Sequence, residues 1–114
     1  MMKVIQAVNT SKFDDINGKS CIDYWRSQRP YRDDSCCRAT KEKAQGDDKI
    51  VGGHVIGYAN GFPHVYITPI LSSVNKEHKI ITFNVAEADL VQVPLQDERA
   101  ILSDPDNKEL LRRL

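Results

Sequence analysis

Apolar and polar positions fall into runs of two kinds along this chain, and the clearest runs lie in the middle. The segments IVGGHVIGYA (50–59) and FPHVYITPI (62–70) are rich in β-branched and aromatic residues, with Asn60-Gly61 between them. Asn-Gly flanked in this way predicts a two-residue type I′ hairpin, because both central positions of that turn need positive φ. A two-residue loop also sets the register, placing His54 opposite Ile67 and His64 opposite Gly57. His54, Ile56, Val65 and Ile67 then share one face, and Val55, Phe62, His64 and Tyr66 share the other. On that register the two histidines cannot hold one metal ion. An odd-length loop would bring them to the same side, so the exclusion depends on the turn.

The other elements are shorter. KVIQAV is a β-prone segment near the N-terminus, and KFDDINGK is turn-rich, punctuated by Asn17-Gly18. In SCIDYWRSQRP, Ser20 is placed to cap a helix, Asp23 follows three positions later, and Ile22 and Trp25 pair at helical spacing. Pro30 disfavours helical angles at Arg29, so this helix is short. Residues 31–48 are polar and without period. ATKEKAQGDDK has room for one helical turn ended by Gly46, but the stretch reads mainly as an exposed, mobile connector. KIITFNV predicts a third strand and DLVQVP a fourth. The tail SDPDNKELLRRL carries helix signals: Asp104 as cap, Pro105 at the first position, and Arg112 and Arg113 late. Leu110, Leu111 and Leu114 give it one apolar stripe. No repeat or linker divides the chain. The expectation is a single α+β domain over residues 1–114. It has a central antiparallel hairpin extended by one or two strands, a short N-terminal helix, and a C-terminal helix over about 104–114.

Composition narrows the function classes. Sixteen basic and 16 acidic side chains cancel across 114 residues, so no global field draws the chain to nucleic acid or an anionic membrane. The N-terminal segment lacks the apolar core of a secretory signal, and no apolar run approaches the roughly 20 residues that span a bilayer. Three cysteines, two of them the neighbours Cys36 and Cys37, do not suggest a closed disulfide framework. Reduced thiols and a cytoplasmic location are the expectation.

Trp25 on a short helix, a cysteine at 36 or 37, VGGHV, the hairpin, YITPILSSVN, then FNV and LVQV form a recognisable order. It resembles small treble-clef proteins of the HNH, or His-Me finger, group over about residues 22–93. Members show a cysteine pair, a GAHV-like strand, and a YIVPLCxxCN-like turn entering a helix. The resemblance puts the second pair of zinc ligands at Leu71 and Val74. Of the first pair only Cys36 or Cys37 remains, and its partner position falls within ATKEKA, which offers neither sulfur nor imidazole. A tetrahedral structural zinc needs four such ligands. The expectation is therefore an apolar plug in place of the zinc knuckle, with no metal ligands and no cofactor.

The same resemblance bears on catalysis. His54 matches the general base that activates water in active HNH enzymes. The position before it is Gly53, which has no side chain to ligate a metal, and the family's metal-binding histidine falls near Asn75. His78 stands three residues further on, one position off the usual partner. Without its cation, a base cannot offset the charge that builds on phosphorus. A satisfied histidine in apolar surroundings is the preferred reading of His54. An atypical metal-dependent endonuclease using His54, Asn75 and His78 is the alternative.

The remaining candidates point to binding. WRSQRPYR interleaves Trp25 and Tyr31 with Arg26, Arg29 and Arg32, a mixture able to stack on bases and clamp phosphates. Against this stands a buried Trp25 with solvated arginines, which is preferred. Cys36-Cys37 lacks the surroundings of a nucleophile, DDS and GDDK lack calcium-loop spacing, and the glycines of VGGHVIG more readily allow close backbone packing than phosphate binding. The functional expectation is a non-catalytic interaction module. A protein partner or self-association is favoured over nucleic acid, and no membrane is involved.

Overall fold

The computed structural model describes residues 1–76 and 80–114. The described strands are β1 (Met2–Gln6), β2 (Asp15–Ile16), β3 (Lys19–Ser20), β4 (Ile50–Ala59), β5 (Phe62–Leu71), β6 (Thr82–Val85) and β7 (Val91–Gln92). The described helices are α1 (Cys21–Gln28), α2 (Ser72–Lys76), α3 (Leu95–Ser103) and α4 (Pro105–Leu111). Five strands form one antiparallel sheet in the order β6-β1-β4-β5-β7, while β2 and β3 make a small separate hairpin. The protein is thus α+β, and no described helix is long and apolar enough to cross a membrane.

The central hairpin has the register that its turn predicts. Asn60 and Gly61 take φ of 53° and 82°, and His54 pairs with Ile67 and His64 with Gly57. The strand within KIITFNV does not extend the hairpin directly. It pairs with β1, which lies between it and β4, and β7 adds to the far edge beside β5.

Alternation along the strands makes two apolar faces. Ile5, Ile56, Val65 and Ile67 pack with Trp25 of α1, Ile101 of α3 and Leu110 of α4. Val4, Val55 and Val85 lie on the opposite face, where the segment leading to β7 lays Leu90 across them. A third cluster, of Cys37, Ile70, Leu71 and Val74, closes the end of the hairpin away from the Asn60-Gly61 turn.

The helix caps follow local chemistry. The Ser20 side chain accepts the Asp23 N–H at the start of α1, and Asp104 accepts the Asp106 N–H at the start of α4. Helix α3 has no such mark, since Pro94 precedes it without a side-chain cap. A buried Asn107 joins these C-terminal helices to the sheet. Its Oδ1 accepts the Val8 N–H at 2.9 Å, and its Nδ2 donates to the carbonyls of Val8 and Ile101 at 3.0 Å.

The 31–48 stretch departs from the expected loose connector. It forms no helical turn before Gly46; instead Cys36 bridges Lys43, and the backbone closes tightly between them. Cys37 N–H donates to the Glu42 carbonyl, and Lys41 N–H donates to the Cys37 carbonyl, both at 2.8 Å. Lys41 sits at φ 69° to allow it. The Arg38 N–H donates to Pro69 of β5 at 2.9 Å, docking the turn against the hairpin.

Candidate functional site

The paired glycines of VGGHV set the geometry around His54. An ideal Cβ on Gly52 would lie 2.7 Å from the backbone of Cys21 and Ile22, so only glycine lets the first turn of α1 seat directly on β4. A Cβ on Gly53 would instead collide with Ile70 and lie 3.4 Å from the Asn75 Oδ1 on the other side of the sheet. Two helices therefore approach the same strand from opposite faces at consecutive residues.

Seating α1 in this way brings Cys21, its first residue, beside His54, with Sγ 3.9 Å from Nε2. Asp14, from the loop between β1 and β2, completes the group. One ligand atom from each of Asp14, Cys21 and His54 lies within 4.8 Å of the others. Cys21 and His54 are buried, His54 to 2% exposure, while Asp14 is exposed. The Cys21 thiol also donates to the Phe13 carbonyl at 3.4 Å.

Burial lowers the His54 pKa from 6.5 to about 4, against a smaller opposing pull from the Phe13 carbonyl. Burial, then the carboxylates of Asp14, Asp97 and Asp15, raises the Cys21 thiol from 9.0 to about 12. Burial also raises the Asp14 carboxyl. At neutral pH the pair is thus a thiol beside a neutral imidazole, not the thiolate–imidazolium couple of a cysteine nucleophile. A cleft of about 270 Å³ opens alongside, where β1 has left the edge of β4; Asp14, Cys21, Gly52 and Asn75 are among its lining.

Of the proposed catalytic residues, His54 and Asn75 are not brought together. The His54 side chain points under α1, whereas the Asn75 amide lies against Gly53 on the other face, where Gln6 Nε2 donates to its Oδ1 at 3.4 Å. His78 lies outside the described residues. His64, on the face opposite His54, has Nδ1 3.2 Å from Glu98 Oε1, an oxygen that also accepts the Val65 N–H at 2.9 Å.

In the arginine-aromatic stretch Trp25 is buried, as the preferred reading has it, while the arginines find partners within the protein rather than standing solvated. Trp25 has no exposed surface, so it is a core residue and is not available to a partner. Arg26 pairs with Asp23 and Asp34, Arg29 donates to the carbonyls of Ala88 and Leu90, and Arg32 pairs with Asp89. Tyr31 alone stands free, 99% exposed. Arg38 joins the same network through Asp89 and lies over the Trp25 ring. Burial alone would raise the Asp89 carboxyl, but hydrogen bonds from Arg38 and Arg32 hold it below the usual range. These cations fasten α1 and the following turn to the segment before β7. Besides Tyr31, exposed aromatic surface lies at the hairpin end, with Phe62 at 68% and Tyr58 at 44% exposure.

Asp14 and Cys21 were not among the residues expected to matter. Their signal is slight: a cysteine just after a helix cap, and a glycine pair immediately before a histidine. Compared with protein-family models, with curated proteins and with solved structures, the chain finds no match.

Proposed function

We propose that the protein is a non-catalytic interaction module built on a treble-clef-like scaffold whose knuckle is closed by apolar side chains. The observation that carries this reading is the placement of His54: it is buried beneath α1 and turned away from Asn75, so the two side chains do not face one phosphodiester. The turn at Cys37–Lys41 and the start of α2 supply the two halves of the knuckle in this reading, with Cys37, Leu71 and Val74 in one apolar cluster between them. Supercoiled plasmid incubated with the protein and magnesium, manganese or zinc should show no more nicking than with a His54→Ala variant. Nicking that disappears in the variant would establish the endonuclease instead.

The partner-facing surface in this reading is the hairpin end, where Tyr58 and Phe62 flank the tight turn. Aromatic side chains that bury on contact are the residues that most often dominate an interface. Self-association through this end should appear in sedimentation equilibrium as a concentration-dependent mass, and Phe62→Ser should weaken it roughly tenfold or more. A chain that remains monomeric at millimolar concentration would remove self-association from the proposal.

A further inference from the structure

We propose that Asp14, Cys21 and His54 form a binding site for a divalent cation of the zinc class, distinct from the knuckle. Three different elements bring these side chains together: the loop after β1, the first residue of α1, and the middle of β4. Ligands 2.3 Å (sulfur) and 2.0–2.1 Å (nitrogen) from a tetrahedral zinc stand about 3.6 Å apart, and Cys21 Sγ and His54 Nε2 are at 3.9 Å. The third donor, Asp14, is on an exposed loop and needs only a small movement to close the remaining gap.

The donor set selects the metal. One sulfur, one imidazole and one carboxylate suit zinc or cobalt, whereas magnesium and calcium call for oxygen ligands throughout. The surroundings are suited as well. Cys21 and His54 are enclosed, while Asp14 and Cys21 also line the cleft at the β4 edge, giving an ion a way in and a water the fourth position. Among the described residues of that lining, Lys76 is the one cationic side chain and Asp14 the one acid. On binding, Cys21 coordinates as the thiolate and its proton leaves to solvent, so uptake is accompanied by proton release.

The site does not depend on the interaction reading and is tested separately from it. The full chain, stripped with chelator under reducing conditions, is titrated with cobalt(II) and then zinc(II). The expected result is one equivalent bound, with a thiolate-to-cobalt charge-transfer band and the strong visible bands of a tetrahedral site, both lost when zinc displaces cobalt. Cys21→Ser should abolish the charge-transfer band, and Cys37→Ser should leave it unchanged. Asp14→Asn, at an exposed position that does not threaten folding, should weaken affinity at least about tenfold while keeping the band. No band in the parent chain overturns the site, as does a band that survives Cys21→Ser or vanishes in Cys37→Ser. Unchanged affinity in Asp14→Asn overturns the three-residue site, and this variant decides the matter if circular dichroism shows Cys21→Ser to be unfolded.

Discussion

Replacing Thr40, Leu71 and Val74 with cysteine, in a Cys21→Ser background, is expected to convert the apolar plug into a tight zinc site around the native Cys37. Without metal the variant should be less stable than the parent by on the order of 2–4 kcal/mol. Leu71 and Val74 are both buried beside Cys37 and Ile70, and shortening them leaves a void. Zinc should more than reverse this loss, because binding to a four-cysteine site supplies roughly 10–16 kcal/mol of apparent free energy at neutral pH. Thr40 stands three residues after Cys37, the spacing of a ligand pair, and it precedes Lys41, whose positive φ closes the turn. Leu71 and Val74 are likewise three apart, where β5 runs into α2. The measurement is thermal melting with and without zinc, alongside metal stoichiometry by atomic absorption. A variant that folds but takes up no zinc would separate this turn from the knuckle geometry and remove the treble-clef part of the proposal.

The features legible in the sequence are those with a local cause. Asn60-Gly61 specifies a turn, and the turn dictates every cross-strand pair of the hairpin, so the opposite facing of His54 and His64 followed without any long-range information. Ser20 and Asp104 announce their helices by hydrogen bonds that span two or three residues. Helix α3 lacks such a mark. Pro94 stands where a capping side chain would be, and Leu95, the residue after it, is left exposed rather than on a core-facing stripe. The pairing of β6 with β1 joins residues some eighty positions apart, and nothing local distinguishes β1 from β5 as the partner. In the 31–48 stretch, polarity describes only the side chains. Its order comes from main-chain bonds around a single buried cysteine, Cys37.

The candidate site was legible only in halves. The glycine pair suggested close backbone packing, yet what packs there is decided by a helix some thirty residues earlier in the chain. Cys21 is unremarkable until α1 is laid on β4, when it comes to rest beside His54. The arginines present the converse case. A cluster of cations near aromatics has the composition of a nucleic-acid contact, but each of Arg26, Arg29 and Arg32 finds a carboxylate or carbonyl inside the protein. Such internal partners come from α1 itself, the following turn and the segment before β7, and only the fold reveals which of them are near.

Trp25→Ala should cost about 3–5 kcal/mol of stability, a large share of the roughly 5–15 kcal/mol available to a domain of this size. The ring is wholly enclosed, and its Nε1 donates to the Asp89 carbonyl at 3.0 Å. That carbonyl also accepts the Thr68 hydroxyl at 2.9 Å, and the Asp89 carboxylate holds Arg32 and Arg38. Truncation therefore opens a cavity under α1 and also loosens the segment that carries Leu90 over the second face. Trp25→Phe separates the two effects. It keeps most of the buried ring but loses the N–H, and because Thr68 still satisfies the carbonyl the cost should fall nearer 1 kcal/mol. Tyr31→Ala, at a side chain that touches almost nothing, should stay within about 0.5 kcal/mol of the parent. Urea titrations followed by circular dichroism rank the three, since Trp25 is the sole tryptophan and its fluorescence is lost with it. Comparable costs at Trp25 and Tyr31 would mean that α1 does not anchor the core. Any loss of partner binding in Trp25→Ala would then have to be explained at the surface rather than through unfolding.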